Sequence, residues 1–285
     1  MRWTGSRQSP NVEDRRGMTV GRGLVGGGLG AILLLLLALI LGIDPRYIFE
    51  EPSFDTSNVA PPANTPADAH MKDFVATVLG YTEDTWSQIF QDSGRTYRDP
   101  KLVLFSGAVD SACGFGRAAM GPFYCPLDEK VYLDMSFFDD LSQRFNAPGD
   151  FAEAYVIAHE IGHHVQNLLG ISDQVDVIRQ QNPSQANAVS VLLELQADCF
   201  AGIWANRTQR NEEARSREFL EPGDAEEALR AASMIGDDRL QMEARGYIVP
   251  ESFTHGSARQ RLEWFKRGFS TGSMKACDTF NADHP

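Results

Sequence analysis

The chain has 285 residues, enough for one ordinary domain with additional segments, and a formal net charge of −13. Charged residues make up 23% and aromatic residues 10%, the proportions of a folded domain in water and not of a disordered chain. Lys and Arg form no stripe interleaved with aromatics, so the acidic balance excludes nucleic acid as a partner and serves solubility.

Residues 1–23 are polar and rich in Gly and Arg, which predicts a disordered tail. Leu24 to Ile43 is then uncharged throughout, contains Leu33 to Leu37, and is just long enough to cross a hydrocarbon core as a helix. Asp44 and Pro45 end it. Arg2, Arg7, Arg15, Arg16 and Arg22 precede it against only Glu13 and Asp14, so the positive-inside bias predicts a cytoplasmic N-terminus and an extracytoplasmic remainder. A cleaved signal peptide is the weaker reading, because the run exceeds a usual signal core and Gly42 to Arg46 offers no small-x-small site. Residues 44–66, with Pro45, Pro52, Pro61, Pro62 and Pro66, predict a tether of the bilayer-anchored protein, and the domain is expected over 67–285.

Met71, Phe74, Val75, Val78 and Leu79 have helical spacing, and a second short helix is expected to start at Thr82 as its N-cap. Lys101 to Phe105 and Lys130 to Leu133 are rich in β-formers and predict a small antiparallel sheet. Its edge, Lys130 to Asp134, is a candidate for binding an extended substrate by strand addition. Four cysteines facing an oxidising space predict two disulfides, for which three pairings exist. Cys113 and Cys125 bracket a turn-rich stretch and suit a local staple, which leaves Cys199 for Cys277. A helix is expected after Ser136, and another from Asp150, as its cap, to about Leu169, with Gly170 as the stop. Residues 171–187 read as a polar connection, followed by a long helix to about Ala205, one after Gly223 and a last one over about 257–269. The fold class is therefore α+β, mainly helical.

His159-Glu160-Ile161-Gly162-His163 carries the chemistry. On a helix, positions four apart differ by only about 40° around the axis, so both imidazoles can face one ion. Glu160 lies roughly 100° away, where a general base stands beside the ion without binding it. Ala154, Ile157, Ile161, Val165 and Leu168 fall on the opposite face, so the histidines point away from the core; His164 falls near the core side and reads as structural. Glu194 supplies a third ligand, and Asp198, one turn on, can accept the distal ring N–H of a ligand His and set its tautomer. Gly162, Ala197, Ala201 and Gly202 allow the two helices to approach closely. Thr254-His255-Gly256-Ser257 places His255 at a helix entry, where it can donate to an oxyanion, with Arg259 to orient it or to pair with a carboxylate of the site.

Together, His159 to Gln166, Glu194 to Cys199, Thr254 to Ser257, Cys113-Gly114 and Gly121 to Pro126 resemble the neutral zinc metallopeptidase family of bacterial single-pass membrane proteins, over most of the chain. More distantly, the HExxH plus ExxxD arrangement is similar to gluzincin metallopeptidases and the membrane CAAX-processing proteases. The resemblance implies a zincin-like domain with one Zn²⁺ held by His159, His163 and Glu194, with His255 assisting the transition state. The expected activity is endopeptidase action on a peptide or protein substrate with Glu160 as general base. The competing expectation is a zinc-stabilised binding or regulatory module that cleaves nothing.

Overall fold

The structure, a computed structural model, describes residues 1–17, 65–211 and 219–282. The apolar run 24–43 and the tether up to residue 64 lie outside the described residues.

Residues 1–17 are not a loose tail. Their strand β1 (Val12–Asp14) is hydrogen-bonded to β2 (Lys101–Phe105), with Val12 beside Leu102 and Asp14 beside Leu104. Trp3 is buried, its ring 5.3 Å from that of Phe74. Arg7 lies 2.7 Å from both Asp84 and the Gly80 carbonyl, and the buried Ser9 hydroxyl donates to Glu83. The composition reads as disorder because the groups that anchor the arm, Arg2, Arg7 and Ser9, find their partners far away in sequence.

Helix α1 (Pro66–Asp92) opens with a capping box: Thr65 accepts from the Asp68 amide, and the Asp68 carboxylate accepts from Thr65. It runs unbroken through Thr82, correcting the two-helix expectation. Thr82 is buried and turns its hydroxyl back onto the Leu79 carbonyl instead of capping a new start.

The sheet is mixed. β2 pairs with β6 (Lys130–Asp134) in parallel, not antiparallel, and β5 (Phe123–Cys125) completes the order β1-β2-β6-β5. Between them the chain forms a hairpin of β3 (Ala108–Ser111) and β4 (Gly114–Arg117), then β5 (Phe123–Cys125), which alone runs antiparallel to β6. That connection is long enough to return the chain to the starting end, the requirement for parallel neighbours. Lys130–Asp134 is therefore interior, and the edge strands are β1 and β5, of which β5 lies beside the cleft.

Helices α2 (Ser136–Gln143), α3 (Asp150–Leu168), α4 (Ile171–Gln181), α5 (Ala186–Arg210), α6 (Asp224–Met234), α7 (Asp237–Arg245) and α8 (Ala258–Thr271) complete an α+β domain. α4 replaces the expected polar connection: Ile171, Val175 and Ile178 form one apolar stripe packed on Val189 and Leu193. α5 belongs to a stretch, Pro183–Arg210, long and apolar enough to cross a membrane, yet 72% of its most apolar 18-residue window is buried inside the protein, where it forms part of the core. Both disulfides form, Cys113 to Cys125 and Cys199 to Cys277.

α8 lies directly on α5, and Gly268 sets the distance: a Cβ there would run into the carbonyl oxygen of Cys199. Because backbone and not a flexible side chain stands in the way, Gly268→Ala is expected to destabilise the protein by about 3 kcal/mol, read as a lower urea midpoint.

Candidate metal centre and cleft

Helix α3 starts at Gly149, whose φ of 125° swings the chain into the helix. Asp150 does not cap it through its side chain. Glu227 of α6 does that work across the fold, accepting from the Phe151 amide at 3.1 Å, while Asp150 meets the Met1 amine at 2.7 Å. Among these acids Glu153 is mostly buried. Burial first, then the charges of Asp150, Asp139 and Glu227, push its pKa up to about 7. Folded and unfolded states are both protonated at pH 4, so the penalty is absent there; it grows as pH rises from the ordinary glutamate value through 7 and is full above it. Glu153→Gln is thus expected to stabilise the protein by about 2 kcal/mol at pH 8 and negligibly at pH 4, by urea unfolding at both pH values.

Ala154, Ile157, Ile161 and Val165 are buried in the core, as the periodicity predicts, and the opposite face carries the candidate ligands. His159 Nε2 lies 3.2 Å from Glu194 Oε2 on α5, and His163 Nε2 lies 3.5 Å from Glu194 Oε1. Donors held about 2.05 Å from a tetrahedral ion stand roughly 3.3 Å apart, so the three fit Zn²⁺. One ligand atom from each of these residues falls within 4.8 Å of the others. The close approach rests on Gly162, where a Cβ would stand 3.0 Å from the Cα and carbonyl of Ala197.

Each ring's other nitrogen is held. His159 Nδ1 donates to Asp198 Oδ1 at 2.8 Å, as expected for Asp198, and His163 Nδ1 donates to Gln166 Oε1 at 2.8 Å. With a cation at the centre in place of the ring proton, both Nε2 atoms would be left to present lone pairs to it. Gln166 is locked in turn, donating to the Leu193 carbonyl at 2.7 Å and Gln196 at 3.1 Å; Gln196 donates to the Cys277 carbonyl at 3.0 Å. The Cys199 to Cys277 bridge fixes the segment that ends this chain of contacts.

Arg261, not Arg259, completes the set. Its guanidinium is buried, with Nε 2.8 Å from Asp198 Oδ2 and Nη2 2.9 Å from Oδ1. Nη2 also reaches the Tyr155 hydroxyl, which donates to the same carboxylate. Burial works against charge on Asp198, but Arg261 and His159 hold its pKa down to about 2. Burial likewise opposes charge on His159, and Asp198 and Glu194 outweigh it, holding the pKa up to about 10. The centre therefore lies in a net negative field that a cation answers. Arg259 is exposed on the other side of α8.

Glu160 lines the cleft and makes no hydrogen bond or ion pair among the described residues. His164 is buried, its Nε2 donating to the Arg98 carbonyl at 2.7 Å and its Nδ1 accepting from Tyr124 at 3.0 Å, which pins the edge strand β5 to α3. Its structural assignment holds. His255 faces the same cleft, its side chain about half exposed; the Asp237 carboxylate accepts the amides of Thr254, His255 and Gly256 and stands 3.3 Å from Nδ1. That bond raises the pKa of His255 and so favours the protonated ring, whose Nε2–H is available to donate. The cleft encloses about 890 Å³ between the metal centre, strand β5 and an apolar wall of Met120, Phe137 and Phe145.

Tyr155, Gln166, Asp237 and Arg261 thus join the site beyond the residues expected to act in it. For Arg261 a signal existed: it precedes the buried Trp264 and Phe265 by three and four residues, so it shares their inward face.

A histidine pair and a glutamate with a buried Asp-Arg support define a zinc metallopeptidase type of centre. The chain belongs to the family described as "Putative neutral zinc metallopeptidase", whose model matches residues 1–280. It is 46% identical over 297 residues to the uncharacterized protein YpfJ of Escherichia coli (strain K12), covering 98% of this chain and 99% of that protein. It is 42% identical over 256 residues to an uncharacterized protein of Mycobacterium tuberculosis (strain ATCC 25618 / H37Rv), covering 86% and 85%. No solved structure matches.

Proposed function

We propose that the protein is a membrane-attached zinc endopeptidase of zincin-like architecture. The carrying observation is the convergence of His159, His163 and Glu194 beside Glu160 in an open cleft. When bound, the ion acidifies a water and polarises the scissile carbonyl. Glu160 accepts the proton of the attacking water and delivers it to the leaving amine. His255, oriented by Asp237, donates to the oxyanion, and an extended substrate adds to the free edge at β5 with an apolar side chain against Phe137 and Phe145. Attachment falls to residues 24–43, and the two disulfides favour an oxidising space for the domain.

The test is metal analysis of the purified chain coupled to a cleavage screen over proteome-derived peptides. One zinc per chain and cleavages inside peptides, abolished by chelation, are expected. Bound zinc with no cleavage of any peptide would refute the enzyme and leave a zinc-stabilised module.

A further inference from the structure

Residues 1–17 on one side of the apolar run in sequence, and 65–211 and 219–282 on the other, form one folded body. β1 is hydrogen-bonded along β2; outside the ladder proper, the Ser9 amide donates to the Ala76 carbonyl at 2.9 Å and the Arg15 amide to Leu104 at 2.8 Å. Among the described residues, four of the five arginines that a positive-inside reading counts as orientation signals are engaged within this body. Arg2 lies 2.8 Å from Glu221, Arg7 2.7 Å from Asp84 and 3.3 Å from the buried Glu83, and Arg15 and Arg16 pair with Glu13 and Asp14. Gly80 is shaped to the arm as well: a Cβ there would stand 3.2 Å from the Arg7 carbonyl.

We propose that the N-terminal arm and the domain occupy the same side of the membrane, so that the chain returns, after the apolar run, to the face it left. A single crossing would put on opposite sides two surfaces that the structure joins by a strand ladder, a buried tryptophan and several ion pairs. A return crossing by residues 44–64 fails on composition. It would carry Asp44, Arg46, Glu50, Glu51 and Asp55, and acidic or basic residues near a bilayer centre cost about 2.5 to 3.5 kcal/mol each. Leu24 to Ile43 is one crossing long, about half of what an out-and-back pair needs. A single crossing between arm and domain is therefore incompatible with the docked arm, and the orientation expected from the arginines does not apply.

All four cysteines are in disulfides, so an introduced thiol is a clean probe. Thr4→Cys and Gln8→Cys on the arm, and Lys266→Cys and Ser270→Cys on the domain, replace exposed residues and leave the fold intact. Each full-length variant, expressed in a bacterial host, is treated with a membrane-impermeant maleimide before and after permeabilisation. The expected result is one pattern for all four positions, with labelling of intact cells showing the body exported and labelling only after permeabilisation showing it internal; both keep arm and domain together. Arm positions protected while domain positions label, or the reverse, would overturn the proposal. A second measurement does not depend on the variants. Hydrogen exchange on the wild-type chain in detergent should find the Ser9 and Arg15 amides protected, and exchange there at unstructured rates would remove the docking on which the proposal stands.

Discussion

Replacing Glu160 with Gln is expected to leave zinc bound at the wild-type stoichiometry and to lower peptide hydrolysis about 10³-fold, the contribution of a positioned general base. The amide keeps the size of the carboxylate but cannot take a proton from water. Glu160 contributes no donor atom to the three-residue centre, so metal content should not follow activity. It has no hydrogen-bond partner among the described residues, so the unfolding midpoint should not follow either. Glu194→Ala separates the roles from the other side: it removes the carboxylate that spans both imidazoles, at 3.2 Å and 3.5 Å, and is expected to lose zinc and activity together. Metal analysis and steady-state assay of both variants decide the matter, and a Glu160→Gln protein with wild-type turnover would show that the base is another group.

The ligand face was readable because a helix imposes its period on the chain. With Ile157, Ile161 and Val165 committed to the core, His159 and His163 had one direction left to point. Glu194 and Asp198 followed from the same rule on a second helix, and Gly162 against Ala197 made their approach credible. What resisted reading depended on distant partners. The parallel pairing of β2 and β6 is set by the path of the chain between them, which no local pattern records. The arm looked disordered because its arginines find carboxylates as far away as Glu83 and Glu221. Arg259 and Arg261 stand about 200° apart on α8, so choosing between them required the register of that helix against α5. Trp264 and Phe265 held that register, and the side chain that counted was charged and therefore easy to place at the surface.

Arg261→Met is the substitution with the largest expected effect on stability, a loss of about 3 to 5 kcal/mol. Asp198 is fully buried between Arg261, Tyr155 and His159, and its carboxylate is tolerable there because the guanidinium faces both oxygens, at 2.8 Å and 2.9 Å. A thioether of similar length fills the space and leaves the charge without its main counter-ion. Arg261→Lys restores charge but not the two-pronged contact and should recover only part of the loss. The pH dependence gives the sign. Asp198 is held down to about 2, below its unfolded value, so its contribution is complete above the ordinary aspartate range and disappears as pH falls through 2. Without Arg261 the folded pKa rises, and acid unfolding should begin at higher pH than in the wild type. Zinc affinity should fall about 10- to 100-fold in the same variant, because Asp198 no longer holds His159 in one tautomer and orientation. Adding Asp198→Asn removes the stranded charge. The double variant should regain most of the stability, read by urea unfolding, while its zinc affinity stays low, read by competition with a chelator. Recovery of both together would mean that Arg261 serves only the packing of α8, and loss of neither in the single variant would mean that the Asp198 carboxylate is not charged in the folded protein.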